Sequence, residues 1–162
     1  VFLFFTGVLF SFSLIENITA SHENGFPKEI KYFKDNGDAL ELVTIKTYYE
    51  DGVLSTIKSY KDDSKYGKWE SFYKDGSCMW KGVYYNGKRS GKWTEFYDTG
   101  QMKSSGRYKE GKNDGPFVEY YSDGIIKSEE NWKDGKYHGK QTWYYEDGRT
   151  ESGTYKDGKL TE

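Results

Sequence analysis

Between residues 43 and 162 the chain falls into short runs of five to nine residues, cut by glycine-bearing turns. Within the runs that follow one set of turns, side chains alternate. Cys78, Trp80, Gly82 and Tyr84 fall on one side, and Met102, Ser104, Gly106 and Tyr108 repeat the arrangement. A period of two places successive side chains on opposite faces and predicts strands. The pattern recurs every 24 residues: Gly67, Gly91, Gly115 and Gly139 are so spaced, as are Gly52, Gly76, Gly100, Gly124 and Gly148. Aromatic columns run between them, Tyr49, Tyr73, Tyr97, Tyr121 and Tyr145 in one, Tyr60, Tyr84, Tyr108 and Trp132 in another. Five repeats follow, 43–66, 67–90, 91–114, 115–138 and 139–162, the last lacking one residue between Gly148 and Gly153. Residues 21–42 form an N-terminal segment whose part 28–42 is a degenerate first unit, retaining Tyr32, Phe33 and Gly37.

The turns carry Asp51-Gly52, Asp75-Gly76, Asp123-Gly124 and Asp147-Gly148 on one side and Asn86-Gly87, Asp134-Gly135 and Asp157-Gly158 on the other. Such pairs accept positive φ, which predicts two-residue hairpin turns at both edges. The fold class is therefore all-β: an elongated, single-layer antiparallel meander of tandem hairpins, with two strands per repeat and about 48 Å of ribbon over five repeats. Gly82 and Gly106 lie inside strands, where glycine is ordinarily weakening. Rings from neighbouring strands laid across the bare backbone are the expected compensation, with bulges as the alternative.

The motif G-K-W-x-E-F-Y-x-x-G, Gly91 to Gly100, followed by G-x-Y-x-x-G-K, Gly106 to Lys112, resembles the MORN repeat family, in particular the bacterial variant found in YwqK-type antitoxins. The resemblance covers residues 43–162 and implies a sheet of hairpins that mediates protein or membrane contacts.

Composition changes the picture in two places. Hydrophobic residues make up only 35% of the chain, yet aromatics alone reach 19%. So few aliphatics cannot fill a thick core, and ring-on-ring contacts across strands must substitute for one. A formal charge of −2 gives no support to nucleic-acid binding, which needs a concentrated basic surface. At the N-terminus, residues 2–15 are uncharged and nearly all apolar, too short to span a bilayer comfortably. Small and polar residues follow, so residues 1–20 are expected to be a signal peptide cleaved after Ala20, placing the protein outside the cell or in the periplasm or envelope. A retained anchor or a buried strand are the alternatives.

Chemistry is sparse. His22, His138 and Cys78 form no ligand spacing and no nucleophile–base pattern, and the recurrent aspartates suit the residue before a turn glycine. No catalytic residue, metal site or cofactor is expected. Cys78 occupies the column of Leu54, Met102 and Ile126, that of a small hydrophobe. Two surface features point to binding. One edge holds seven acids against one lysine around Gly52, Gly76, Gly100, Gly124 and Gly148, whereas the opposite edge sums to +6, centred on Lys88, Arg89 and Lys92. Rings are also in excess, with Trp69, Trp93, Tyr97, Tyr121, Trp143 and Tyr145 as a candidate interaction surface. The expected function is a non-enzymatic scaffold for protein–protein interaction. Alternatives are an antitoxin-like neutralising protein, a cell-wall or glycan binder, and contact with an anionic membrane surface; edge strands could also pair two copies.

Overall fold

The computed structural model describes residues 14–161, so the apolar run before Leu14 lies outside the described residues. Strands follow one another along the chain: β1 (Leu14–Ser21), β2 (Pro27–Asp35), β3 (Leu40–Tyr48), β4 (Leu54–Lys61), β5 (Ser64–Phe72), β6 (Cys78–Tyr85) and β7 (Lys88–Phe96). They continue as β8 (Met102–Lys109), β9 (Lys112–Tyr120), β10 (Ile126–Lys133), β11 (Lys136–Tyr137), β12 (Gly139–Tyr144), β13 (Thr150–Lys156) and β14 (Lys159–Leu160). Each pairs antiparallel with the next in one open sheet, β11 and β12 both lying against β10. The meander is as expected. At about 4.8 Å per strand, the thirteen-strand path spans about 58 Å.

The two edges turn differently. At one, Asn86 (φ 46°) and Gly87 (φ 77°) are both left-handed between the paired residues Tyr85 and Lys88, a two-residue type I′ turn. Glu110-Gly111, Asp134-Gly135 and Asp157-Gly158 repeat it. At the other edge only the glycine is left-handed. Gly52 N–H donates to the Tyr49 carbonyl and Tyr49 N–H to the Val53 carbonyl, enclosing the three-residue loop Glu50-Asp51-Gly52. The expected two-residue turn is corrected here to a type I turn with a following left-handed glycine. Asp51 does not need positive φ; its Oδ1 instead accepts the Val53 N–H at 3.1 Å.

The same loop also occurs ahead of the degenerate unit expected at 28–42. His22 and Gly25 make the bonds of Tyr49 and Gly52, and Asn24 Oδ1 accepts the Phe26 N–H as Asp51 does. Thus β1 and β2 form a complete hairpin, 27 residues ahead of the next. Ala20 pairs with Glu29 inside β1, so seven of that strand's eight residues precede the expected cleavage point.

Side chains here build no conventional core. Among the described residues the buried hydrophobics are Ile30, Trp69 and Trp93, joined by Ser71, Thr94, Ser128, Gln141 and Thr142. Order comes from the backbone ladder and from rings on one face. Tyr60, Trp69, Tyr84 and Trp93 follow at centroid separations of 5.6, 4.8 and 5.2 Å. Each such pair contributes roughly 0.5–1.5 kcal/mol beyond its buried area.

The strand glycines make this stacking possible. A Cβ on Gly82 would lie 2.2 Å from Trp93 Cδ2, and one on Gly106 would lie 2.0 Å from Phe117 Cδ2. Ring coverage is therefore what the glycines provide. The β6–β7 register also slips between Lys81 and Val83, so Gly82 carries an irregularity as well as a ring.

Candidate functional site

Alternation gives the sheet two distinct faces. The ring face carries Trp69, Trp80, Tyr84, Trp93, Tyr108 and Phe117. In its middle, Trp80 stacks on Trp93 at 5.6 Å and 25°, and the Arg89 guanidinium lies 4.4 Å from the Trp93 ring and 5.2 Å from that of Tyr108. With Glu95, Ser104, Phe117 and Glu119 these groups line a trough of about 170 Å³. Lys103 and Lys127 reach Glu95 and Glu119 at 3.6 and 3.4 Å, so the charges nearly cancel and the trough suits a neutral, hydrogen-bonding ligand.

Further along the ring face the chemistry turns polar. Glu130 holds the column of Gly82 and Gly106, and Gln141 that of Trp69, Trp93 and Phe117. Gln141 is fully buried. Its Nε2 donates to the Asn131 carbonyl at 2.9 Å, while its Oε1 accepts the Asn131 N–H at 2.9 Å. Trp69 Nε1 to the Ser59 carbonyl and Trp93 Nε1 to the Val83 carbonyl span the same ten residues, so the amide reproduces the indole's bond. Trp132 Nε1 donates to Glu130 Oε2 at 2.9 Å. Burial lifts the Glu130 carboxyl above its ordinary range; the Trp132 hydrogen bond opposes this and the charge of Glu119 adds to it.

The residues picked from sequence do not form one surface. Trp69 and Trp93 are 6% and 8% exposed, which leaves a partner almost none of either indole. Trp143 is half-buried between Tyr137 and Tyr155. The Tyr97 and Tyr121 hydroxyls donate to the Tyr120 and Tyr144 carbonyls, both at 2.8 Å. They belong to a ladder that begins with Tyr49 to Phe72 and Tyr73 to Phe96. His22 Nε2, 2.9 Å from the Tyr48 carbonyl, fills the same role at the sheet's N-terminal end. Tyr145 is exposed, and its hydroxyl bonds Glu151 instead.

The three basic residues separate too. Lys88 pairs with Glu110 at 2.9 Å and Arg89 stacks on the ring face. Lys92 lies on the other face, beside Lys68, Lys81 and Arg107, between two open depressions of about 350 Å³ each, with Lys88 at that face's edge. Counting charge along the edge missed this group; counting by strand parity finds it, because Arg89 and Lys92 are three apart. Cys78 is half-buried, and burial pushes its thiol up, away from the reactive thiolate. Among the described residues no cluster of three His, Cys, Asp or Glu side chains could hold a metal.

A family model described as the MORN repeat variant matches residues 43–62, 89–110, 113–134 and 137–157, together 85 of the 162 residues. Each match is one hairpin closed by a three-residue loop. Residues 63–88, between the first two matches, supply the equivalent hairpin of β5 and β6. A comparison with curated proteins found no match.

Proposed function

The chain belongs to the MORN repeat variant family, and from that premise we propose that it is a non-enzymatic scaffold that binds another protein. The observation that carries this reading is the single layer: among the described residues nothing covers either face, and both offer ordered side chains fixed by a rigid hydrogen-bonded ladder. Repeat arrays use such extended surfaces for recognition. Pull-down with the full chain should recover a defined protein; recovery of none across extracts of the source organism would sink the reading. The finer likeness to YwqK-type antitoxins would make that protein a toxin, which co-expression with a toxin encoded next to this chain would test.

A second reading, glycan binding, is favoured by the ring-face trough. Trp80 offers a half-exposed indole, and Arg89, Glu95 and Glu119 offer planar polar groups beside it. Retention on peptidoglycan or insoluble glucan, lost in Trp80→Ala, would support it. Trp93→Ala is unsuitable, because it also removes the ring that covers Gly82.

Export bears on either reading. Cleavage after Ala20 would leave β2 as the outer strand, whereas an uncleaved chain keeps β1. N-terminal sequencing of secreted material decides it: a start at Ser21 supports export with cleavage, and a start within or before β1 opposes it.

A further inference from the structure

On the face opposite the rings, Lys92 stands directly across from Arg107. Like charges directly opposite one another on a sheet are destabilising. Lys68 and Lys81 lie on the same face, two strands and one strand towards the N-terminus from Lys92, and all four side chains are exposed. Some cations elsewhere pair with neighbouring carboxylates: Lys31 with Glu29, Lys88 with Glu110, Lys103 with Glu95, Lys127 with Glu119. Among the described residues none of the four makes an ion pair; Lys81 instead lies 5.4 Å from the Phe96 ring. The nearest carboxylates of that face are Glu70, opposite Lys81, Asp114, on the strand next to Arg107, where its Oδ2 accepts the Asp134 N–H at 3.2 Å, and Glu129, one strand further. The central patch thus holds four cations against two acids, a net of +2.

We propose that this patch binds an acidic, extended segment of a partner protein. The inference rests on the scaffold reading and names the site and the partner's chemistry. Lys68 to Arg107 crosses three strand spacings, about 14 Å, or four residues of extended chain. Alternate side chains of such a segment point the same way, so two or three carboxylates reach the cations. The depressions on either side of Lys92 present Val83 on one flank and Pro116 and Val118 on the other, and take apolar side chains from the same side of the segment as its acids. That apolar provision favours a peptide over a phosphate polymer or a headgroup layer. Occupation also relieves the Lys92–Arg107 repulsion, which the free protein bears.

The test uses the full chain and three probes: a labelled eight-residue peptide of two Glu-Glu-Val-Val repeats, which carries both residue types on each side, its Lys-for-Glu counterpart, and vesicles containing anionic phospholipid. The acidic peptide should bind, more weakly as salt rises from 50 to 200 mM, and the basic one should not. Lys92→Glu with Arg107→Glu should weaken binding about tenfold or more, while Lys88→Glu leaves it unchanged. A variant that keeps the fold supplies a second readout. Arg107→Asn, the residue at the matching position of the next repeat, should weaken binding and raise the melting midpoint by about 1–3 °C. Equal binding by wild type and the charge-reversed pair would overturn the proposal. So would a lowered midpoint in Arg107→Asn, or binding to vesicles without binding to the peptide. A protein recovered equally by wild type and the charge-reversed pair would overturn this site and leave the scaffold standing; recovery of no protein would instead overturn the scaffold.

Discussion

Two repeats apart, the same pair of columns is filled in opposite ways. At Gly82 and Trp93 a bare backbone accepts an indole, and the ring is held by its N–H on the Val83 carbonyl. At Glu130 and Gln141 both residues are polar; the glutamine keeps that bond, now to the Asn131 carbonyl, and adds an acceptor for the Asn131 N–H. At Gly82 the ring needs the glycine, because a Cβ there would lie 2.2 Å from it; at Lys58 the side chain bends aside, its Nζ 5.7 Å from the Trp69 ring, and at Glu130 a slimmer amide takes the ring's place. The lesson concerns how so thin a sheet tolerates variation. It keeps the backbone bond and exchanges what covers it.

Breaking the aromatic unit should cost most. Trp93→Ala removes a buried indole that contacts Trp80, Tyr84 and Tyr108, and should lower stability by about 3–5 kcal/mol in urea unfolding. Gly82→Ala should act in the same direction by displacing that ring. Next in size is the polar unit: Gln141→Ala strands the Asn131 N–H, while the carbonyl keeps the His138 N–H, and should cost about 1–3 kcal/mol. The comparison sharpens in a double-mutant cycle. Gln141→Trp and Glu130→Gly should each destabilise, and together recover at least about 1 kcal/mol of their summed loss. An additive result would mean the columns are independent.

Smaller effects separate interior from end. Tyr73→Phe deletes a bond to the Phe96 carbonyl and should cost about 1 kcal/mol in the same assay, whereas exposed Tyr145→Phe should change little. The smallest contrast is in pH dependence. Glu130, its carboxyl raised by burial, stabilises only below its unfolded pKa and loses that contribution as pH rises through its folded value. Glu130→Gln should therefore melt higher than wild type at neutral pH, the gap closing in acid. Asp75 is the reverse, held low by the Ser77 hydroxyl and N–H, so its contribution is present above the unfolded pKa and lost as pH falls. Asp75→Asn should melt lower than wild type at neutral pH and equal it in acid. Melting midpoints from pH 3 to 7 check both.

Much of this was legible in the sequence. The 24-residue period placed the strands, and glycines at Gly82 and Gly106 announced the rings above them. Loop length was not, because Asp-Gly serves both edges: Asp134 is left-handed in a two-residue turn, whereas Asp51 caps a three-residue loop, and only strand register decides between them. The first hairpin was hidden by a 27-residue spacing and by His22 standing where tyrosine is expected, although Glu23-Asn24-Gly25 resembles Glu50-Asp51-Gly52. Of the candidate site, the basic character of Lys92 was legible but its neighbours were not, since edge position and face are different properties of a strand residue. The burial of Trp69 and Trp93 was not legible, because it depends on which neighbouring strand each ring lies across.

Everything above depends on a sheet one layer thick, and small-angle scattering of the dilute monomer measures that directly. A slab about 58 Å by 27 Å and 10 Å thick has a radius of gyration of about 19 Å. A value at or above that is the expected result. About 15 Å, that of a compact globule of this length, would contradict it.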